Sequence, residues 1–276
     1  MKQSVFPFRS ELVIRLSWVV FACVVWSCKD QEHPRPVEDP VKLSKIVWGP
    51  NDYQEFTYNT RGQIVRYVSQ WTYIDDGSGA TKKMTADFQY DHTSHLAKVI
   101  FGGGFYVKYH YQGNVLKKSE EYTSKDRLAL THTYQFGIGQ RVTEVLTQVH
   151  DPLEEAVSQI KKTYAYDGRG NVIQEKVYGK LSPREAFYLS TITAYEDYDQ
   201  QQTTGNLTDF FPYLPQAKMN VNNPGKQTVL GSDGSTVLSV RTFTYQYNQK
   251  GYPTQRTVQV QSDPPVPVSS ASYQYQ

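Results

Sequence analysis

The sequence predicts an all-β chain: a long antiparallel meander of consecutive β-hairpins in a twisted or curled sheet, with at most one short helix. Three observations predict it. The first is composition: 22 of the 276 residues are Tyr, aromatics make up 14% and the hydrophobic fraction is 38%. Aromatic side chains suit a pleated, half-buried surface better than a helix face. The second is a recurring unit in which two aromatics at i and i+2 are followed by Asp or Asn, a turn and an apolar residue, as in "TYAYDGRGNVIQEKVYG" (163–179). The third is the regular return of turn signals between short stretches of alternating residues.

The N-terminus differs from this pattern. Lys2, Arg9 and Arg15 precede or flank an apolar run, "LSWVVFACVVWS" (16–27). That run is shorter than the ~20 residues a spanning helix needs, and a basic start with a short apolar core reads as a secretory leader. Residues 1–27 are therefore assigned as a leader. Val25, Trp26, Ser27 and Cys28 resemble a bacterial lipobox, which implies that Cys28 becomes the first mature residue and carries lipid. Trp26 is bulkier than the residue usual at that place. "VFAC", ending at Cys23, is a rival that would leave an apolar stub. A plain signal anchor with two incidental cysteines is the alternative to both.

Residues 28–44, "CKDQEHPRPVEDPVKLS", are polar and Pro-bearing without an apolar period, and read as an extended tether. The Lys29-Asp30-x-Glu32 start resembles the acidic surface-export signals of Bacteroidota lipoproteins. The leader holds Lys2, Arg9, Arg15 and Glu11; removing these from 29 basic and 27 acidic residues leaves the remainder balanced. Nothing in that balance calls for nucleic acid or an anionic membrane surface as partner. Past the leader Cys28 is the one cysteine, so no disulfide, thiolate metal site or Cys nucleophile is expected.

Residues 45–276 form the expected hairpin-repeat domain. Phe56-x-Tyr58-Asn59 leads to Gly62 and Ile64, and Phe88-x-Tyr90-Asp91 leads to Ser94 and Leu96. Tyr109-x-Tyr111 leads to Gly113, Tyr134-x-Phe136 to Gly139, Tyr164-x-Tyr166-Asp167 to Gly170 and Val172, and Tyr245-x-Tyr247-Asn248 to Gly251. Aromatics two apart share one face of a strand. Asp or Asn caps the turn through nearby backbone N–H groups. Gly supplies the positive φ that closes a hairpin with a bulge. Each unit is thus strand, turn, strand.

Between the units lie further turn signals: "DDGSG" (75–79), "GGG" (102–104), "KLSPREA" (180–186) and "GSDGS" (231–235). "DPLEEAVSQIKK" (151–162) is the one helix candidate, with Asp151 as cap, Pro152 in the first turn and Leu153, Val157 and Ile160 on one face. A hairpin arm with alternating Val157 and Gln159 is the other reading. "TTGNLTDFFPYLPQAKMNVNNPGKQ" (203–227) has no period and carries Phe210, Phe211 and Tyr213. It reads as a long ordered excursion, with cover of an edge strand favoured over a binding role. A Pro-rich stretch (262–270) precedes a final strand.

The Tyr-x-Tyr-Asp-x-x-Gly-x-apolar unit, clearest at 164–172 and 245–252, resembles the YD repeats of RHS-type proteins. With the lipobox, the chain resembles Bacteroidota lipoproteins with degenerate YD repeats. The resemblance implies β-hairpin architecture and a surface location, and it brings no catalytic residues.

The chemistry-bearing residues form no recognisable constellation. His92 and His95 share a turn near Asp91 but lack a third ligand. Glu196, Asp197 and Asp199 offer oxygens for Ca²⁺, yet alternation along a strand sends Glu196 and Asp197 to opposite faces, which favours a solvated rim. "DDGSG" lacks the alternating ligands and distal Glu of a calcium loop. No phosphate loop and no nucleophile elbow occur. Asn206-Leu-Thr208 matches a glycosylation sequon of little meaning in a bacterial chain. No metal or other cofactor is expected. Trp48, Trp71, Phe210, Phe211 and Tyr213 are the candidate binding residues, since exposed aromatics stack on sugars or anchor partners. The expected role is a monomeric, non-enzymatic binding or structural module at the outer membrane or cell surface. It would be held by lipid at Cys28 and contact a glycan or an envelope protein. A hydrolase acting on an envelope or environmental polymer is the alternative.

Overall fold

The computed structural model describes residues 41–72, 79–150, 158–182, 184–204, 219–261 and 266–276. Within them the chain forms sixteen strands. The first eight are β1 (Leu43–Gly49), β2 (Asp52–Tyr58), β3 (Ile64–Thr72), β4 (Thr81–Tyr90), β5 (Leu96–Phe101), β6 (Tyr106–Gln112), β7 (Val115–Tyr122) and β8 (Leu128–Phe136). The second eight are β9 (Val142–Val149), β10 (Gln159–Tyr166), β11 (Val172–Lys180), β12 (Tyr188–Glu196), β13 (Lys226–Leu230), β14 (Val237–Tyr247), β15 (Pro253–Gln261) and β16 (Ser269–Tyr275). Each strand pairs antiparallel with the next. β1 also pairs with β16, so the meander closes into a barrel. At the seam Leu43 faces Tyr275 and Ile46 faces Tyr273. The Gln276 N–H donates to the Lys42 carbonyl at 2.9 Å and the Lys42 N–H to the Gln276 carbonyl at 3.2 Å.

The hairpin meander is as expected, and its curl goes to full closure. Of the helix candidate, residues 159–162 lie in β10, the hairpin-arm reading; residues 151–157 lie outside the described residues. One 3₁₀ turn, Ile138–Gln140, is the helical element among the described residues. A closed barrel has no edge strand, so edge cover is not the role of the 203–227 excursion. Cys28, Phe210, Phe211 and Tyr213 lie outside the described residues, as do the leader and the tether up to residue 40.

The repeated unit makes its turn as its residues dictate. Asp167 Oδ1 accepts the Gly170 N–H at 2.6 Å and the Asn171 N–H at 2.8 Å. Asn59, Asp91 and Asn248 do the same one or more turns away. Burial raises the Asp167 carboxyl, but the Asn171 and Gly170 donors outweigh it and hold it below the usual carboxylate range. The strand register shifts just before each cap, between Thr57 and Tyr58, Gln89 and Tyr90, Ala165 and Tyr166, and Gln246 and Tyr247. Gly170 sits at φ +99°, in left-handed space that Gly enters without a Cβ penalty. In the second unit Ser94 takes that place at φ +68°.

In several units, though not at Tyr247, whose hydroxyl meets the Asp199 carboxylate, the second aromatic ties the end of its strand to the start of the strand before. The Tyr58 hydroxyl donates to the Leu43 carbonyl at 2.8 Å, Tyr90 to Ile64 at 2.8 Å and Tyr166 to Val142 at 2.6 Å. Tyr198 donates to Val172 and Tyr275 to Pro253, both at 2.5 Å. Every acceptor is the first residue of its strand. Tyr111 holds the same position, but its hydroxyl has no hydrogen-bond partner and its ring stacks on His95 with centroids 4.5 Å apart. Phe136, the next, has no hydroxyl to offer.

Alternation sorts the wall. Inward pairs include Phe56–Tyr67, Phe88–Val99, Tyr109–Ser119 and Tyr134–Val145, which belong to one core of buried residues. Outward pairs include Arg66–Asp87, Gln70–Lys83, Lys98–Lys108, Lys108–Glu120 and Gln135–Glu144. Membrane-spanning barrels place an apolar band outward and polar residues inward. Along β3 to β9 this wall is the reverse, and the charged pairs there suit water rather than hydrocarbon. No helix among the described residues is long and apolar enough to cross a membrane.

Candidate lumenal binding site

The inside of the barrel is uneven. The part enclosed by β1 to β9 holds the apolar core, with polar side chains set into it, among them Ser119 bonded to the Tyr134 hydroxyl and a group around His132. There His132 Nε2 meets Glu121 Oε1 at 2.7 Å and His132 Nδ1 meets Thr147 Oγ1 at 2.8 Å. The part enclosed by β10 to β16 is a cavity of about 620 Å³, within the size range of small-ligand sites.

Its floor is the described end of the excursion. Met219 is 2% exposed, and Asn222 and Asn223 are buried. An asparagine network locks them to the turn end of the barrel. Asn171 Oδ1 accepts the N–H groups of Val221 at 2.9 Å and Asn222 at 2.8 Å, and Asn171 Nδ2 donates to Asn222 Oδ1 at 3.1 Å. Asn220 Oδ1 accepts from the Val172 N–H at 2.9 Å. Asn223 Nδ2 donates to Asp199 Oδ2 at 3.2 Å and to the Gln202 carbonyl at 3.0 Å, and the Tyr247 hydroxyl donates to the same carboxylate. Polar side chains this deep are tolerated because they are satisfied.

The wall mixes rings with charge. Tyr164, Tyr195, Phe243, Tyr245 and Tyr273 supply the rings. Lys162, Arg241 and Arg256 supply three cations against one carboxylate, Glu175. Lys162 Nζ lies 3.8 Å from Glu175 Oε1. Burial, with the neighbouring Glu175, pushes the Tyr164 phenol far above its ordinary range, so that hydroxyl stays protonated at any physiological pH. In register, Tyr245 stands opposite Arg256 and Arg241 opposite Gln227, so rings and planar polar groups alternate across the wall.

The residues expected to bind from sequence are elsewhere. Trp48 is 40% and Trp71 39% exposed. They stand at the ends of β1 and β3, away from the Asn and Asp caps, with the start of β2 between them, and neither lines the cavity. The acids of 196–199 do not converge. Glu196 pairs with Lys226 at 2.8 Å, Asp197 is exposed and Asp199 turns toward Asn223 and Tyr247. His95 Nδ1 meets Thr93 Oγ1 at 2.9 Å, while His92 is exposed. No group of three metal-ligating side chains occurs among the described residues.

Sequence reasoning missed Arg241, Arg256 and Lys162, although the signal was present. Counting back by two from Tyr245 and Phe243 reaches Arg241, and from Tyr164 reaches Lys162. A cation in phase with the inward aromatics of its own strand is a cation inside the barrel.

No family model and no curated protein matches the chain. Among solved structures, a porin-like protein from Bacteroides vulgatus superposes with a TM-score of 0.58 at 11% identity, covering 86% of this chain and 99% of that one. A porin-like protein from Bacteroides uniformis gives 0.56 at 12% identity, covering 86% and 98%. These likenesses show the fold. A chain of the Photorhabdus luminescens Tc holotoxin pore matches at a TM-score of 0.21 and 16% identity, over 82% of this chain and 13% of that one; at that level it bears no weight.

Proposed function

We propose that the chain is a lipid-tethered binding module of the cell envelope that holds a glycan inside its barrel. The observation that carries the reading is the aromatic-walled, amide-bearing cavity of about 620 Å³ above the asparagine floor. Sugar rings present flat C–H faces to aromatic side chains and hydroxyls to planar polar groups, and both are supplied here. The leader and the lipobox-like Val25 to Cys28 support export and lipid attachment. The polar outer wall along β3 to β9 supports a reading in which a lipid at Cys28, rather than the barrel, is the membrane contact. The hydrolase alternative calls for two converging carboxylates, whereas the cavity wall as described offers Glu175.

A second reading, contact with an envelope protein, is favoured by one observation. Trp48, Trp71, Leu181, Val237 and Leu238 are all exposed, and all belong to the barrel end away from the Asn and Asp caps. Such a group suits a protein partner, although Ile138, 97% exposed, stands at the other end.

A glycan array probed with the full chain, beside a pull-down from envelope extract, tests both. A glycan signal lost in Phe243→Ala supports lumenal binding. A protein captured without any glycan signal replaces it with the partner reading. Labelling with palmitate that survives Cys28→Ala removes the anchor.

A further inference from the structure

We propose that the lumenal site selects acidic saccharides, its ligand carrying a carboxylate that Arg256 and Arg241 hold; this rests on the glycan reading above. The two guanidiniums lie on neighbouring strands, β14 and β15, and both line the cavity. Among the described residues neither forms an ion pair or a side-chain hydrogen bond. Arg256 Nε in particular is a buried donor with no acceptor. Glu175, the carboxylate on this wall, already lies 3.8 Å from Lys162. The cavity thus holds uncompensated positive charge.

Arg256 is half-buried and Arg241 exposed; the cost lies in the Arg256 Nε–H, shut from water without an acceptor, and an anion entering the site recovers it. Arginine's planar fork matches a carboxylate in two-point fashion, which lysine does not. Tyr245 stands directly across the strand pair from Arg256, so a ring face and a fork are presented side by side. A sugar with a carboxylate on its ring satisfies both at once, whereas a neutral sugar leaves the fork unmet and a simple anion leaves the aromatic wall unused.

The test is titration calorimetry on the full chain with trigalacturonate, triguluronate and a hyaluronan tetrasaccharide, beside fully methyl-esterified trigalacturonate, cellotriose and maltotriose. Expected are binding of one or more acidic probes, tenfold or greater weakening with Arg256→Gln, and loss of affinity as salt rises. The esterified probe is expected to bind at least tenfold more weakly than its acid. Arg256→Gln removes that unmet Nε–H and is expected to fold; Arg241→Gln, at an exposed position, is the second variant. Binding of neutral probes equal to or tighter than acidic ones, unchanged in both variants, overturns the proposal and leaves the glycan reading standing. Silence toward every acidic and neutral probe overturns both.

Discussion

The Tyr275 hydroxyl donates a 2.5 Å hydrogen bond to the Pro253 carbonyl, one strand back around the barrel. Tyr58, Tyr90, Tyr166 and Tyr198 repeat the bond at their own turns. A tyrosine at this place therefore has a polar task as well as a packing one: it fastens the end of one strand to the start of the strand before.

Tyr90→Phe removes such a bond and strands the Ile64 carbonyl, so a loss of about 1–3 kcal/mol is expected. Tyr111→Phe removes a hydroxyl that has no partner, and is expected to be neutral or mildly stabilising. Denaturant unfolding of the two variants side by side checks the contrast. Equal losses would show that the ring, not the hydroxyl, is what matters.

The ladder also sets an alkaline limit. Burial pushes the Tyr58, Tyr90 and Tyr166 phenols up to about 12, from about 10 in an unfolded chain. A raised folded value means that the contribution is complete below pH ~10 and is lost as pH climbs from there through the folded values. Thermal unfolding midpoints are expected to hold steady up to about pH 10 and to fall steeply toward pH 12. The tyrosinate absorbance should lag behind that of the unfolded chain over the same window.

The turn glycines differ in what they tolerate. At Gly170 a Cβ would lie 1.7 Å from the Arg141 guanidinium in addition to adopting φ +99°. Gly170→Ala is expected to cost about 1–2 kcal/mol or more. Ser94→Gly relieves a residue already at positive φ and is expected to change stability by less than about 1 kcal/mol, in the favourable direction. Melting temperatures of the two variants settle the signs.

Asn171 serves three partners in the floor. Asn171→Ala leaves the Val221 and Asn222 N–H groups without their acceptor, and a loss of about 2–4 kcal/mol is expected from two stranded donors. Hydrogen exchange should then quicken at Val221 and Asn222 ahead of the strands. Uniform quickening throughout the barrel would make Asn171 a global element instead.

Much of this architecture was legible because the repeat writes its own turn: Asp167, Gly170 and the i, i+2 pair Tyr164 and Tyr166 each specify backbone geometry locally. Closure was not legible, since the pairing of Leu43 with Tyr275 depends on twist accumulated over all the intervening strands. The floor escaped for a different reason. Asn171 and Asn222 look like loop residues in a linear reading and become buried only when segments about fifty positions apart meet. The wall arginines were within reach, because strand phase alone turns Arg241 inward.

The pairing of the first strand with the last has a consequence for how the chain is made. Lys42 and Gln276 exchange backbone hydrogen bonds across the seam, so the barrel stays an open sheet with two bare edges until β16 pairs with β1. Until then the sheet has to be shielded, because bare edges recruit other chains. Loss of β16 alone would leave such edges permanently.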